Sequence, residues 1–208
     1  MIDRATGFVV SLCDFSGNMV RPWAEAGYDA LCLDTAHSIR KPRKEGRVTY
    51  QWADVRQLTP ADIPRPDIIF AFPPCTHLAV SGARDFKRKG LRLLIDALEL
   101  VEACRQLCMW YGCPWMLENP VSRLSTLWRK PDHIFDPCDY GDPYTKKTCL
   151  WTGGGFVMPP KCRVEPTDGS KMHKMPPGPD RKRLRSETPT GFAQAVFAAN
   201  APGGQHDR

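Results

Sequence analysis

Residues 67–76 read DIIFAFPPCT, an apolar run that leads directly into two prolines and a cysteine. The apolar run predicts a buried strand, and Pro73 and Pro74 stiffen the turn that follows it. Cys75 would then lie where a strand opens into a loop, which makes its thiol a candidate nucleophile. The alternative is a core cysteine that happens to follow two prolines.

Segments that resemble this strand alternate with helical ones along the chain. Apolar residues recur at helical spacing over 91–111, Pro22 and Gly27 bracket a short helix, and a final helix is expected over 190–200. Further strands are predicted at 7–12, 30–34, 48–52, 115–117 and 149–151. This alternation predicts an α/β, Rossmann-like fold, with a mostly parallel sheet covered by helices on both faces.

Composition indicates a single domain over 1–208, because 208 residues suit one hydrophobic core. The sequence carries 29 Lys+Arg against 23 Asp+Glu, a balance that permits a polyanionic partner. We expect no membrane association, since no apolar stretch approaches about 20 residues, and a cytoplasmic location without a signal peptide. The nine cysteines contain no Cys-x-x-Cys pair, so we expect reduced thiols and no metal.

Two regions differ from this pattern. Residues 39–47 are expected to form a basic, irregular connection, and residues 153–187 an irregular, basic surface segment rich in proline and glycine. Residues 201–208 are expected to be a disordered tail.

Acidic residues and a small-residue turn follow the first three strands. Asp14, Phe15, Ser16 and Gly17 form a tight turn whose backbone amides could approach a ligand, and Asp34 is placed to accept hydrogen bonds from ribose hydroxyls. With Asp54 after the third strand, they favour a nucleoside-like cofactor. The glycine signature of a dinucleotide fold is incomplete, because Met19 stands where a second glycine is expected. Each acid alone would also suit a solvated strand end.

A further acid follows the strand at 115–117. Glu118 precedes Asn119 and Pro120, at the same end of the predicted sheet as Cys75. A carboxylate there could protonate or orient a heteroatom of a substrate. Its simpler role would be that of a turn residue.

In chain order, these features resemble the DNA cytosine-5 methyltransferases. Phe15-Ser16-Gly17 is similar to the cofactor loop of that family, and Asp34 and Asp54 match its ribose-binding and adenine-binding acids. Pro73-Pro74-Cys75 resembles its catalytic loop, together with Ser81-Gly82 downstream. The resemblance spans roughly residues 7 to 151, with a weaker match in the last helix.

Two more segments extend the resemblance. Glu118-Asn119 resembles the family's Glu-Asn-Val motif, and residues 141–146, ending in Lys146, resemble its Gly-x-Pro-Gln-x-Arg segment. The family's function implies S-adenosylmethionine as the cofactor, held by Asp14, Phe15, Ser16, Gly17, Asp34, Asp54 and Pro73. It implies DNA as the substrate, and catalysis by Cys75, Glu118 and Lys146 through a covalent adduct at carbon-6 of cytosine.

Several positions depart from the family. Thr76 and Tyr144 replace glutamines that the family usually has, Leu78 replaces a phenylalanine, and Pro120 replaces a valine. Only about forty residues separate Trp151 from the final helix, where family members usually carry a large target-recognition domain. We therefore expect either relaxed sequence specificity or a partner subunit that supplies target recognition. Candidate phosphate-binding cations are Lys87, Arg88, Lys89, Arg181, Lys182 and Arg183.

Other functions stay open at this stage. The amino-methyltransferases use a polar residue before Pro-Pro and an aromatic residue after it, whereas Phe72 and Cys75 flank the prolines here. The same fold could instead modify single-stranded nucleic acid, RNA or free nucleotides. A degenerate relative that only binds nucleic acid is the non-enzymatic alternative. A compact enzyme of this kind would suit a phage or a restriction-modification system.

Overall fold

The computed structural model describes residues 6–80, 86–170, 178 and 181–202. In this part of the chain eight strands form one sheet in the order β3-β4-β2-β1-β5-β6-β8-β7. The strands are β1 (Phe8–Leu12), β2 (Asp29–Leu33), β3 (Arg43–Glu45), β4 (Val48–Gln51), β5 (Ile68–Ala71), β6 (Trp115–Pro120), β7 (His133–Phe135) and β8 (Thr148–Gly153).

The centre of the sheet is parallel and its two margins are antiparallel. Strands β4, β2, β1, β5 and β6 are mutually parallel, whereas β3 pairs antiparallel with β4, and β8 pairs antiparallel with both β6 and β7. The parallel strands thus follow the third-second-first-fourth-fifth order of a doubly wound fold. The predicted α/β, Rossmann-like fold class is confirmed.

Helices cover both faces of this sheet. They are α1 (Arg21–Glu25), α2 (Phe86–Trp110), α3 (Leu124–Leu127), α4 (Arg181–Ser186) and α5 (Thr190–Asn200). Val10 and Leu12 of β1 join the core that includes Val101 and Cys104 of α2. Val9 belongs to the opposite core, with Trp23 of α1 and Phe192 of α5. Alternate residues of one strand thus face opposite helical layers, as the pleat requires.

Two predictions of irregular structure were wrong in part. Within 39–47, β3 forms a hairpin with β4 around Gly46, whose φ is 57°, and Arg43 lies 4.0 Å above the Tyr50 ring. Within 153–187, α4 forms from lysine, arginine and leucine, which are good helix formers. Of the expected tail, residues 203–208 lie outside the described residues. A search of the described helices finds no segment long and apolar enough to cross a membrane.

The strand order reverses between β1 and β5. Strand β1 pairs with β2 on one side and with β5 on the other, so the chain leaves these two central strands in opposite directions. A crevice forms at the carboxyl ends of strands where the order reverses in this way. The loops that begin at Cys13 and Phe72 both start at this crevice.

Candidate active site

The loop after β1 is organised around the buried carboxylate of Asp14. Its Oδ1 accepts hydrogen bonds from the amides of Ser16 (2.9 Å) and Gly17 (2.8 Å), and its Oδ2 accepts one from the Ser11 hydroxyl (2.8 Å). These two amides, which we expected to approach a ligand, are therefore bound to Asp14. The carboxylate fixes the shape of the loop from inside.

Gly17 is required in this loop for two reasons. Its φ is 69°, in the left-handed region, and a Cβ built on it would lie 2.5 Å from the hydroxyl oxygen of Tyr50. Met19, where a dinucleotide fold would have a glycine, is instead fully buried in the core of the α1 face. Methionine at position 19 therefore fills space in this core, where glycine would leave a gap.

An aromatic cluster flanks the same loop. Phe15 is 41% exposed, and its ring stacks on His37 at 5.2 Å between centroids. His37 contacts the edge of Tyr50, and its Nε2 lies 3.2 Å from the carbonyl oxygen of Asp14. The sequence analysis did not single out His37, because nothing in its local pattern distinguishes it from a loop histidine.

The two other acids of the proposed cofactor site differ in how they are bound. Asp34, half-buried after β2, accepts a hydrogen bond from the amide of Ala36 at 2.7 Å. Asp54 is held by the Arg56 guanidinium at 2.9 and 2.6 Å, and these hydrogen bonds lower the pKa of its carboxyl. The contact with Cys104 and burial raise the pKa of the Cys13 thiol, and both acids raise it further by smaller amounts.

The loop that carries Cys75 is fixed at both ends. The carbonyl oxygen of Pro73 accepts a hydrogen bond of 2.9 Å from Nδ2 of the fully buried Asn119. The carbonyl oxygen of Cys75 accepts from the amides of Leu78 and Ala79, both at 2.9 Å. This turn presents the half-buried thiol at the carboxyl end of the sheet. Asn119 was part of a recognised motif, but its contact with Pro73 spans 46 residues and could not be read from the sequence.

Glu118 lies beside Cys75 and has an unusual environment. Its Oε1 is buried without a hydrogen-bond partner among the described residues. Burial raises the pKa of its carboxyl, and Lys146 opposes that shift. A protonated carboxyl can donate a hydrogen bond, so this residue suits a substrate atom that accepts one.

The charges of the three predicted catalytic residues act on one another. Burial raises the pKa of the Cys75 thiol, and the Glu118 carboxylate raises it further. Lys146 and Arg185 act in the opposite direction. The structure thus brings Cys75, Glu118 and Lys146 together, and it adds Arg185, which the sequence indicated only as one cation of the basic segment 153–187.

Lys146 lies in the segment that precedes β8, and two hydrogen bonds fix its backbone beside Cys75 and Glu118. Its amide donates to Asp136 Oδ1 at 2.8 Å, and its carbonyl oxygen accepts from the Thr148 hydroxyl at 2.7 Å. Tyr144 is buried, and desolvation raises the pKa of its phenol to about 12. The tyrosine that replaces the family's glutamine therefore stays neutral inside the protein.

The predicted phosphate-binding cations are only partly described. Arg88 is exposed near the start of α2, and Arg181 is half-buried at the start of α4. The side chains of Lys87, Lys89, Lys182 and Arg183 lie outside the described part, as do Ser81 and Gly82. All nine cysteines are free, and the described residues contain no group of three or more side chains suited to a metal ion.

Comparison with known proteins gives likenesses among solved structures alone. No family model matches the chain, and no curated protein does. The magnesium protoporphyrin IX methyltransferase from Synechocystis PCC 6803 with bound SAH is 13% identical, covers 56% of this chain and has a TM-score of 0.34. A variant of the 16S rRNA (adenine(1408)-N(1))-methyltransferase from Catenulisporales acidiphilia is 14% identical over 61% of this chain, with a TM-score of 0.34.

A third similar structure is not a methyltransferase. An NAD-dependent NDP-hexosamine 5,6-dehydratase is 16% identical over 78% of this chain, with a TM-score of 0.37. The chain spans 48%, 57% and 45% of the lengths of these three proteins, in the order given.

Proposed function

We propose that this protein is an S-adenosylmethionine-dependent methyltransferase that methylates carbon-5 of cytosine in DNA through a covalent adduct with Cys75. The observation that carries this proposal is the convergence of Cys75, Glu118 and Lys146 at the carboxyl end of the sheet. A thiol, a carboxyl with a raised pKa and a cation are the groups that nucleophilic addition to a pyrimidine ring requires.

The crevice between β1 and β5 is the proposed cofactor site. Asp34 directly follows β2, which pairs with β1, and the exposed ring of Phe15 offers a flat apolar surface in the loop after β1. One nucleoside suits this site better than two, because the second half of the sheet continues with antiparallel β8 where a doubly wound fold has another parallel strand. When bound, S-adenosylmethionine supplies an electrophilic methyl group. Asp34 would accept hydrogen bonds from its ribose.

In the proposed reaction, Cys75 Sγ gives its proton to solvent and bonds to carbon-6 of cytosine; the electron pair of the carbon-5 to carbon-6 double bond moves into the ring and makes carbon-5 nucleophilic. Glu118 donates a hydrogen bond or a proton to ring nitrogen-3 and so stabilises the adduct. Lys146 offsets the negative charge that develops at the thiol and at Glu118. After carbon-5 accepts the methyl group, a base removes its proton, the bond from sulfur to carbon-6 breaks and the thiolate leaves. The cytosine must first leave the duplex stack, at a cost of a few kcal/mol.

The test uses Cys75→Ala, with Cys162→Ala as the matched control, because Cys162 is an exposed free thiol. We expect Cys75→Ala to abolish methyl transfer to DNA and to leave the affinity for S-adenosylmethionine nearly unchanged. Cys162→Ala should retain both. DNA that contains 5-fluorocytosine should trap a covalent adduct with the parent protein, since fluorine blocks the elimination step. Transfer that survives Cys75→Ala would exclude the covalent mechanism.

A binding protein without transfer activity is the second candidate. It is favoured by the raised pKa of the Cys75 thiol, which keeps the sulfur neutral in the free protein. A titration with S-adenosylmethionine, followed by the 5-fluorocytosine trap, separates the two candidates. A protein that binds DNA but neither takes up the cofactor nor forms the adduct would support the second.

A further inference from the structure

Two thiols meet where β1 ends and the loop of the proposed cofactor site begins. Cys13 directly follows β1, and its Sγ lies 3.9 Å from Sγ of Cys104, which belongs to α2. Cys104 is fully buried, whereas Cys13 is half-buried. A disulfide bond is about 2 Å long, so the two sulfurs need to approach by about 1.9 Å to form one. A small shift of one partner would complete that bond.

The backbone at Cys13 is strained. Its φ is 56°, and Cys13 is the one non-glycine residue with a positive φ in the described part of the chain. This left-handed region disfavours a side chain, and such strain is typical of functional sites and switch regions. Cys104, in contrast, lies in a helix and shares its core with Val10 and Leu12 of β1. Of the two partners, we therefore expect Cys13 to be the one that moves.

A shift at Cys13 acts directly on the loop after β1, because Asp14 is its neighbour. The Asp14 carboxylate holds the amides of Ser16 and Gly17, and its own amide donates to the carbonyl oxygen of Leu33 at 3.3 Å. Leu33 is the last residue of β2 and precedes the proposed ribose-binding acid. A displacement that brings the Cys13 sulfur into bonding distance would disturb these hydrogen bonds.

We propose that Cys13 and Cys104 form a reversible disulfide under a peroxide, and that this bond distorts the loop after β1 and weakens cofactor binding. The inference rests on the proposed function, since it concerns the regulation of the same cofactor site. The raised pKa of the Cys13 thiol keeps it neutral near neutral pH, so the switch responds slowly and needs sustained oxidation. A thiol reductant reverses it.

The peroxide alone balances this reaction. The Cys13 sulfur attacks one peroxide oxygen, the O–O bond breaks, and a sulfenic acid and water form. The Cys104 sulfur then attacks the sulfur of the sulfenic acid, the S–O bond breaks, and the thiol proton leaves with the hydroxide as a second water. The two thiols together lose two electrons and two protons, and the peroxide is reduced to two molecules of water. Half-buried Cys13 is the sulfur that the reagent reaches first.

The first measurement locates the bond. The full chain is treated with hydrogen peroxide, its remaining thiols are alkylated, and the digest is analysed by mass spectrometry. We expect a peptide pair linked through Cys13 and Cys104, which dithiothreitol separates. Cys162→Ala is the matched control, because Cys162 is an exposed free thiol, and it should give the same pair. The proposal is overturned if Cys13 and Cys104 of the parent are both recovered as free thiols while Cys162 is oxidised.

The second measurement follows the cofactor site by calorimetric titration with S-adenosylmethionine. The oxidised parent should bind about tenfold more weakly than the reduced protein, the loss expected when one charge-assisted hydrogen bond is misplaced. Dithiothreitol should restore the affinity. In Cys13→Ser and in Cys104→Ala, peroxide should leave the affinity as it was before treatment. If both variants fail to fold, the parent decides, because an oxidised parent that carries the bond and binds as tightly as the reduced protein overturns the proposal.

The proposed function can fail separately. A parent protein that binds no S-adenosylmethionine in either state would contradict the proposed function, and the switch is then read from hydrogen exchange. The amides of Ser16 and Gly17, which Asp14 holds at 2.9 and 2.8 Å, should exchange faster after oxidation. Unchanged exchange at these amides in the linked protein would overturn the switch, whether or not the cofactor binds.

Discussion

Glu118 and Asn119 are neighbours in β6 whose side chains serve different purposes. Asn119 donates a hydrogen bond from its side-chain amide to the carbonyl oxygen of Pro73 and so fixes the loop of Cys75. Glu118 Oε1 and Asn119 Oδ1 are both buried without a hydrogen-bond partner among the described residues. Buried polar atoms without partners lower stability and occur mainly where function requires them. We therefore interpret the Nδ2 group of Asn119 as support for the loop of Cys75, and the unpartnered oxygens of Glu118 and Asn119 as groups available to a substrate.

Glu118→Gln should stabilise the protein at neutral pH. Burial raises the pKa of Glu118, so folding disfavours its charged form. The stability that this group contributes is therefore fully present below the pKa of glutamate in the unfolded chain, about 4.3, and is lost as pH rises through the higher folded value. Urea unfolding of both proteins at several pH values measures the effect. The difference should shrink as the pH falls, and a variant less stable than the parent at neutral pH would contradict this account.

Gly17→Ala should impair both stability and cofactor binding, because a Cβ there meets the Tyr50 hydroxyl in a left-handed backbone. Gly46→Ala is the matched control, since Gly46 has a φ of 57° but open space around its Cβ. Gly46→Ala should lower the free energy of unfolding only by the backbone strain, about 1–2 kcal/mol. Equal losses of unfolding free energy in the two variants would mean that the contact with Tyr50 does not matter. Calorimetric titration with S-adenosylmethionine gives the second readout.

Among the elements, α5 closes the core on one face of the sheet. Phe192 is buried and stacks on Phe135 at 4.1 Å between centroids, so β7 and α5 share one aromatic contact. Phe192→Ala should lower the free energy of unfolding by about 3–5 kcal/mol. Trp110→Ala is the control, because Trp110 is 71% exposed at the end of α2 and its loss should be small. Denaturant unfolding compares the two, and similar losses would contradict the burial of Phe192.

Most of the buried elements could be predicted from the sequence, whereas the exposed β3 and α4 and the short α3 and β7 could not. The strands before Asp14, Asp34 and Cys75 and the helix 190–200 were predicted within a residue or two, because burial imposes apolar periodicity on them. Strand β3 and helix α4 were not predicted, since their exposed, charged residues carry no such period. Arg185 was predicted as one cation of the basic segment 153–187, but not as a residue near Cys75. Its relation to Cys75 depends on tertiary contacts such as the hydrogen bond from Asn18 to Thr188, which no local pattern encodes.

At the scale of the molecule, the proposed function leaves the recognition of substrate to the short stretch between β8 and α5. In its described part α4 is the one regular element, and its cations suit phosphates better than base edges. We therefore expect a sequence context of at most about three bases, and binding that weakens steeply as salt rises. Single-stranded DNA should be accepted at least as well as duplex, because no unpairing cost arises.

Bisulfite sequencing of a plasmid methylated by this chain alone tests that expectation. Scattered methylation in short contexts would agree with it. Methylation at a single fixed site of four or more bases would show that the short stretch does read sequence.

The strand order across the sheet was beyond sequence analysis as well. The alternation of elements predicted the parallel centre, but nothing local indicated that β8 would insert between β6 and β7. Hydrogen bonds between distant strands decide that arrangement, and their partners lie far apart in the sequence.

The place of β8 also sets an order of events during synthesis on the ribosome. The described strands β1 to β6 can pair as soon as residues 8–120 have emerged, because each finds its neighbour within that stretch. Strand β7 comes next in the chain, yet among the described residues its one pairing partner is β8. It must therefore wait, unpaired, until Thr148–Gly153 has been made. In this interval the open edge of β6 is exposed to pairing with other chains, so we expect nascent chains stalled before residue 148 to be the species most prone to aggregate.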